Sequence, residues 1–392
     1  MHLRTGKPQT GQGRRSFTVV QWLAGAILAM GIASAQQETV LYSFMGTPDG
    51  ATPQSGVIRD SSGNLYGTTQ QGGAFGFGTV YMVAAGGGET VLYSFTGGAD
   101  GSQPYGGLLR SSRAGNLYGT SFLGGAYGRG VMFMVSPGGG EKVLYNFTGE
   151  ADGGQPWDGV IADRSGTLYG TTLIGGAGGS GVVYKLDPAG NETVLYNFTG
   201  GDDGGNPTAG VILVAGNLYG TTQFGGKDVN CGVVYKVNAE GEETVLHNFR
   251  GGSADGCSPQ AGVVIDSEGN LYGTTPTGGP SNGGVVYMLT KGEETVLYAF
   301  TGGDDGTGYA PYGGVVRDSS GNLYGTAKFA GAYSGGIVFM LPAGGGETVL
   351  YNFTCAEGCN TEAGLVLDSS GNLYGTALYG EYGYGVLFMV TP

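Results

Sequence analysis

The sequence predicts an all-β fold, a seven-bladed β-propeller of four-stranded antiparallel blades, and three observations carry that expectation. A unit of about 51 residues recurs seven times. Each copy holds four short runs rich in Val, Leu, Ile, Tyr and Phe, with Gly, Asp, Asn and Ser between them. The repeat is also out of phase with the chain, as a ring fastened by its own ends requires.

The outer-strand run, similar to E-T-V-L-Y-N-F, begins at Glu38, Glu89, Glu141, Glu192, Glu243, Glu294 and Glu347. The innermost run, G-V-I-x-D, follows at Gly56, Gly107, Gly159, Gly210, Gly262, Gly314 and Gly364. The second run, L-Y-G, starts at Leu65, Leu117, Leu168, Leu218, Leu271, Leu323 and Leu373. The third, like G-V-V-Y-K-L, has its aromatic at Tyr81, Phe133, Tyr184, Tyr235, Tyr287, Phe339 and Phe388. Branched and aromatic residues between turn formers are strand chemistry, and the 86 glycines show no collagen-like period. Radial closure protects the edges that an isolated four-stranded sheet leaves open. The last copy lacks an outer strand and residues 38–44 are left over, so they are predicted to pair with 385–391.

Residues 1–35 read as a signal peptide, leaving 36–392 as a single propeller domain. Arg4, Lys7, Arg14 and Arg15 precede an apolar stretch that ends at Ala33-Ser34-Ala35, an A-x-A cleavage pattern. Arg14-Arg15-Ser16-Phe17 partly matches a twin-arginine export signal. Those residues hold four of the 17 basic side chains and none of the 31 acidic ones, so the remainder has 13 against 31, a net charge of −18. Such a surface repels phosphate backbones and anionic lipid. Nucleic acid is therefore excluded as a partner, and no membrane insertion is expected after signal removal. The expected location is periplasmic, extracellular or at the cell surface.

The strings GNLYGTT, GVVYKL and ETVLYNFTGGDDG resemble the GloVer-type tandem repeat of exported bacterial proteins, over essentially residues 38–392. The GNLY step is also reminiscent of NHL and gluconolactonase-like propeller repeats. The resemblance implies a propeller and export, and brings no catalytic residues with it.

Residues present in every copy are read as serving the blade. The L-Y-G tyrosines are inter-blade packing. In D-G-x-x-P, found at Asp49, Asp100, Asp152, Asp203 and Asp255, the acid is read as an Asx turn before a proline-fixed strand entry. Two copies double it, at Asp202-Asp203 and Asp304-Asp305, and these are the candidate calcium ligands; no other cofactor is expected. The four cysteines form two local pairs, so disulfides Cys231–Cys257 and Cys355–Cys359 are expected in an oxidising compartment. His247, the sole histidine after residue 35, stands where the other copies have Tyr and is read as a core or rim residue.

Function is sought where the copies differ. The entrances to the inner strands carry Tyr105, Trp157 and Tyr312, with Asp158 and Glu362 beside them. Loops on the same side of a propeller add Phe75, Phe77, Tyr127, Tyr333, Tyr382 and Tyr384. Aromatic faces beside acids and amides suit sugar rings, so Trp157, Tyr105, Tyr312, Tyr127, Tyr333 and Tyr382 are the candidate ligand-binding residues. No nucleophile elbow, zinc-protease motif or phosphate loop is present. The leading expectation is a binding or scaffold propeller for a polysaccharide or cell-envelope ligand. The alternatives are an enzyme, either a polysaccharide lyase or a metal-dependent lactonase-like hydrolase using Asp158 and Glu362, and a hub for envelope proteins.

Overall fold

The four runs of each copy fold as the four strands of one sheet in a computed structural model of the chain, which describes residues 37–302 and 307–392. The proposed signal peptide lies outside those residues. Blades 1 to 6 run inner, second, third and outer in chain order. Blade 1 is Ile58–Arg59, Leu65–Thr69, Thr79–Val83 and Glu89–Ser94. Blade 7 takes Val366–Leu367, Leu373–Ala377 and Val386–Thr391 from one end of the propeller sequence and its outer strand, Gln37–Ser43, from the other. Gln37 pairs with Thr391 and Ser43 with Val386, so the ring closes where the repeat phase predicts.

Two sevenfold contacts join the blades. The first is aromatic. The Phe that ends each outer strand is fully buried and meets the third-strand aromatic of the next blade edge-on. Phe44 lies 5.0 Å from Tyr81 between ring centroids, and Phe147 lies 5.1 Å from Tyr184. The same pairing recurs around the ring to Phe353 and Phe388, at 4.9 Å. Edge-to-face pairs of this kind contribute roughly 0.5–1.5 kcal/mol each beyond the area they bury. They also explain the glycine of L-Y-G. A Cβ on Gly67 would sit 2.5 Å from the Tyr81 hydroxyl, so the ring fits only over a bare backbone.

The second contact is a hydrogen bond. The buried Thr that follows L-Y-G donates to a carbonyl at the entrance to the next blade's inner strand. The donors are Thr68, Thr120, Thr171, Thr221, Thr274, Thr326 and Thr376, at 2.8–3.1 Å. Thr376 to Ser55 O closes the circle. Near the axis, backbone packs on backbone: a Cβ on Gly159 would lie 2.1 Å from Gly107 O. The inner strands are correspondingly short, two residues in six blades and three in blade 4.

Toward the outer rim, each outer strand carries a bulge at its Leu, such as Leu195 between Val194 and Tyr196, which twists the free edge away from pairing with another chain. The L-Y-G tyrosines pack between blades as expected, and most also donate to the Asp of G-V-I-x-D, as Tyr66 does to Asp60 at 3.1 Å. Both predicted disulfides are formed. Two extra two-stranded ladders, Gly256–Cys257 with Thr277–Gly278 and Gly308–Tyr309 with Phe329–Ala330, tie links to neighbouring loops.

Each interface also buries the glutamate that opens the outer strand. Burial, and then the nearby link aspartate, push Glu89, Glu141, Glu192 and Glu243 from an ordinary 4.5 to about 7. The turn aspartates go the other way. Burial opposes ionisation of Asp266, but hydrogen bonds from Asn270, Tyr272 and the Glu268 amide outweigh it and hold it at about 2.

Two outcomes are expected. Thr171→Val, which strands the carbonyl of buried Ala209, lowers the unfolding free energy by about 1–3 kcal/mol in urea titration. The same change at exposed Thr193 shifts it by less than about 0.5 kcal/mol. The second concerns pH. Between pH 4.5 and 7 the unfolded chain releases glutamate protons that the folded ring retains, so stability falls as pH rises. Below that range the turn aspartates lose their advantage. Melting temperature should therefore peak on the acid side of neutrality, and Glu141→Gln should flatten the decline toward pH 8.

Candidate functional site

The link from each outer strand to the next inner strand ends in a tight bend with positive φ just before the strand entrance. Gln103 (φ 54°), Gln155 (φ 56°) and Ala310 (φ 57°) occupy it in three blades. Each of their amides bonds back to the preceding blade, as Gln155 N does to Arg129 O at 2.7 Å. In all but blade 7 a proline follows and fixes the next turn of the chain. The residue after it then points to the ring axis. Read round the ring, that position holds Gln54, Tyr105, Trp157, Thr208, Gln260, Tyr312 and Glu362, and all seven line one axial cavity of about 340 Å³.

Its walls differ around the ring. Tyr105 and Trp157 stack with centroids 4.5 Å apart and planes within 5° of parallel. Phe122 abuts both edge-on, at 5.2 and 5.3 Å. Gln70 donates through Nε2 to the Tyr105 hydroxyl, leaving the phenol proton free to donate. Burial raises the Tyr105 pKa, so that proton is retained. About half-way round, Lys328 lies 4.9 Å from the Tyr312 ring centre and pairs with Glu362 Oε1. Glu362 Oε2 accepts from Gln54 Nε2 at 2.7 Å.

Asp158 lines the same cavity but serves the backbone. Its Oδ1 accepts from the amides of Gly159 at 2.7 Å and Gly107 at 3.4 Å, and its Oδ2 from Gly210 at 2.8 Å. One carboxylate thus ties together blades 2, 3 and 4. Tyr127, Tyr333 and Tyr382 lie outside the cavity as exposed side chains on the rim loops. Phe77 and Tyr384 cover link glycines: a Cβ on Gly97 would meet the Phe77 ring at 2.7 Å, and one on Gly46 the Tyr384 ring at 3.0 Å. Phe75 is exposed.

Of the acids considered for calcium, Asp203 accepts from Tyr196 Oη at 3.0 Å, the Thr199 amide at 2.8 Å and the Thr199 hydroxyl, which is a turn geometry. Asp202 beside it is exposed. Asp304 and Asp305 lie outside the described residues. Sequence reasoning missed Gln54, Thr208 and Gln260, which share the repeat position of Tyr105, and Gln70, Phe122 and Lys328, which share the position after the second strand. Aligning those columns across the copies would have found both sets.

Seven repeat blades around an axial cavity, fastened by a sheet shared between the first and last strands, define a tandem-repeat β-propeller. The chain belongs to the Gloeobacter/Verrucomicrobia repeat family, whose model matches residues 24–156 and 112–310. No curated protein sequence matches it. Among solved structures, it is similar to the extracellular domain of a putative hybrid two-component system from B. thetaiotaomicron. That match has a TM-score of 0.56 and 12% identity, and covers 91% of this chain and 41% of the other. It is also similar to a putative 6-phosphogluconolactonase from Bacteroides uniformis, with a TM-score of 0.53, 15% identity and 83% and 90% of the two chains covered. The polysaccharide lyase Uly1 matches with a TM-score of 0.51, 10% identity and 92% and 94% covered. At these identities the likeness is one of fold.

Asp158→Ala should lower stability by about 1.5–3 kcal/mol in chemical unfolding, because three amides lose a charged acceptor. An acid serving chemistry alone would leave the unfolding curve in place.

Proposed function

We propose that this is an exported binding propeller that holds a neutral, hydroxyl-rich polysaccharide at its axial mouth. The observation that carries the reading is the divergence of the seven copies at one inward-facing position, which there builds a flat Tyr105–Trp157 wall beside the Gln54–Glu362–Lys328 network. Sugar C–H faces stack on such rings, while amides, carboxylates and a free phenol proton take hydroxyls. The cavity is at the small end of ligand-site volumes, which fits the end or a short stretch of a chain. The strongly acidic surface disfavours polyanions. The leader-like residues 1–35 and the two disulfides support export.

An enzyme reading draws on Asp158 and Glu362 lining one cavity, and on the lyase and putative lactonase among proteins of similar fold. Binding is favoured because both oxygens of each carboxylate are already engaged, Asp158 by backbone amides and Glu362 by Gln54 and Lys328. A general acid or base needs an oxygen free to exchange a proton with substrate.

With Trp22 changed to Phe, Trp157 is the chain's sole tryptophan and reports on the wall directly. Titration with a panel of neutral and uronic-acid polysaccharides should give a saturable fluorescence change with a neutral polymer. Tyr105→Ala should weaken that binding about tenfold, as loss of a stacking face would. Silence with every polymer, while acrylamide quenches Trp157 normally, would rule out the carbohydrate reading. Turnover of a uronic-acid polymer or a lactone would replace it with the enzyme.

A further inference from the structure

The interface between blades 4 and 5 departs from the sevenfold pattern at one residue. At four other interfaces the outer-strand tyrosine donates to the link aspartate, as Tyr42 does to Asp49 at 2.6 Å, Tyr93 to Asp100 at 2.9 Å and Tyr196 to Asp203 at 3.0 Å, while Tyr298 and Tyr351 donate to Glu347 and Glu357. His247 takes that place, with Nε2 3.4 Å from Asp255 Oδ1 and 4.0 Å from Glu294 Oε2. One ligand atom from each of the three residues lies within 4.8 Å of the other two. They come from the outer strand of blade 4, the link that follows it and the outer strand of blade 5.

We propose that His247, Asp255 and Glu294 form a binding site for a divalent transition metal of the zinc class. The imidazole is what sets this interface apart, beside acceptors that the repeat leaves unsatisfied elsewhere too, such as Oε1 of Glu89, Glu141, Glu192 and Glu243. The Glu294 side chain is nine-tenths buried, and its Oε1 has no hydrogen-bond partner. The Tyr287 hydroxyl, wholly buried on the same face of blade 5, also has none. Among the described residues no lysine or arginine pairs with Asp255 or Glu294.

The link here is one residue longer than the commonest form, with His247 and Asp255 eight apart where the tyrosine and aspartate are seven apart at four other interfaces. The Cys231–Cys257 disulfide anchors that link two residues past Asp255. Asp255 is oriented by the Arg250 amide at 2.7 Å and the Gly256 amide at 2.6 Å, which fixes a ligating carboxylate as outer-sphere hydrogen bonds do. An imidazole nitrogen with two carboxylates selects zinc, cobalt or nickel over calcium and magnesium, which prefer all-oxygen sites. Three protein ligands leave a tetrahedral ion one further position.

The test is calorimetric titration of chelator-treated protein with Zn²⁺, alongside the visible spectrum with Co²⁺. One equivalent of Zn²⁺ should bind, Co²⁺ should develop tetrahedral d–d bands, and the melting temperature should rise with Zn²⁺. His247→Tyr restores the residue of the other blades, so the variant should fold while binding weakens about 100-fold and the cobalt bands disappear. Glu294→Gln should weaken binding similarly without removing the imidazole. The proposal is overturned if the wild type gives no saturable Zn²⁺ isotherm, if both variants bind like wild type, or if Ca²⁺ competes with Zn²⁺ at equal concentration.

Discussion

The ring depends on a hydrogen bond that each blade makes to the next. A threonine beside the L-Y-G glycine, itself out of reach of water, gives its hydroxyl proton to a carbonyl at the mouth of the neighbouring blade. Its net worth is about 1 kcal/mol, yet leaving the acceptor unpaired costs about 1–3 kcal/mol, so the bond acts more as a constraint than as a source of stability. The acceptors belong to Ser55, Gly106, Asp158, Ala209, Ala261, Gly313 and Ala363, the residues immediately after the seven that line the cavity. The bond that closes the ring therefore also fixes its mouth. A side chain such as Trp157 can vary because its peptide is held by neighbours that do not.

Much of this architecture was legible because the chain repeats itself. Strand order, ring closure and the role of Asp203 as a turn residue all follow from comparing seven copies with one another. The Cys231–Cys257 disulfide followed from strand adjacency, since both fall on the same rim of one blade, and Cys355–Cys359 from a shared inter-blade loop. What escaped was contact between neighbouring strands and between copies. Nothing local says that the L-Y-G glycine is bare because the ring of Tyr81 lies over Gly67. Nor does spacing reveal that the threonine next to it reaches into the following blade.

The site was half legible for a related reason. Tyr105, Trp157 and Tyr312 stand out as large residues among glycines, and the structure brings them to one cavity. Gln54, Thr208 and Gln260 share their position but look unremarkable in a polar loop. The rim-loop aromatics were grouped with Trp157 because loops on one side of a propeller were treated as one surface. The axial cavity instead admits the link residues and leaves Tyr127, Tyr333 and Tyr382 outside it. Asp158 looked like chemistry because it was unique among the copies. Its uniqueness is structural: blades 2, 3 and 4 approach so closely at Gly107 and Gly159 that their amides share one carboxylate.

Sevenfold symmetry makes departures from it informative, and the two departures here differ in kind. At the mouth, variation falls on side chains facing empty space, where any residue can be tolerated and selection can act on binding alone. At the blade 4–5 interface it falls on a packed, partly buried position, where the other six copies all keep tyrosine. Replacing that phenol with an imidazole gives up a short hydrogen bond to the link aspartate for a 3.4 Å contact, and brings a ring nitrogen within reach of a glutamate–aspartate pair that other interfaces also hold. The lengthened link and the Cys231–Cys257 disulfide hold Asp255 beside the imidazole, and it is that imidazole which turns a carboxylate pair found around the ring into a mixed nitrogen–oxygen ligand set.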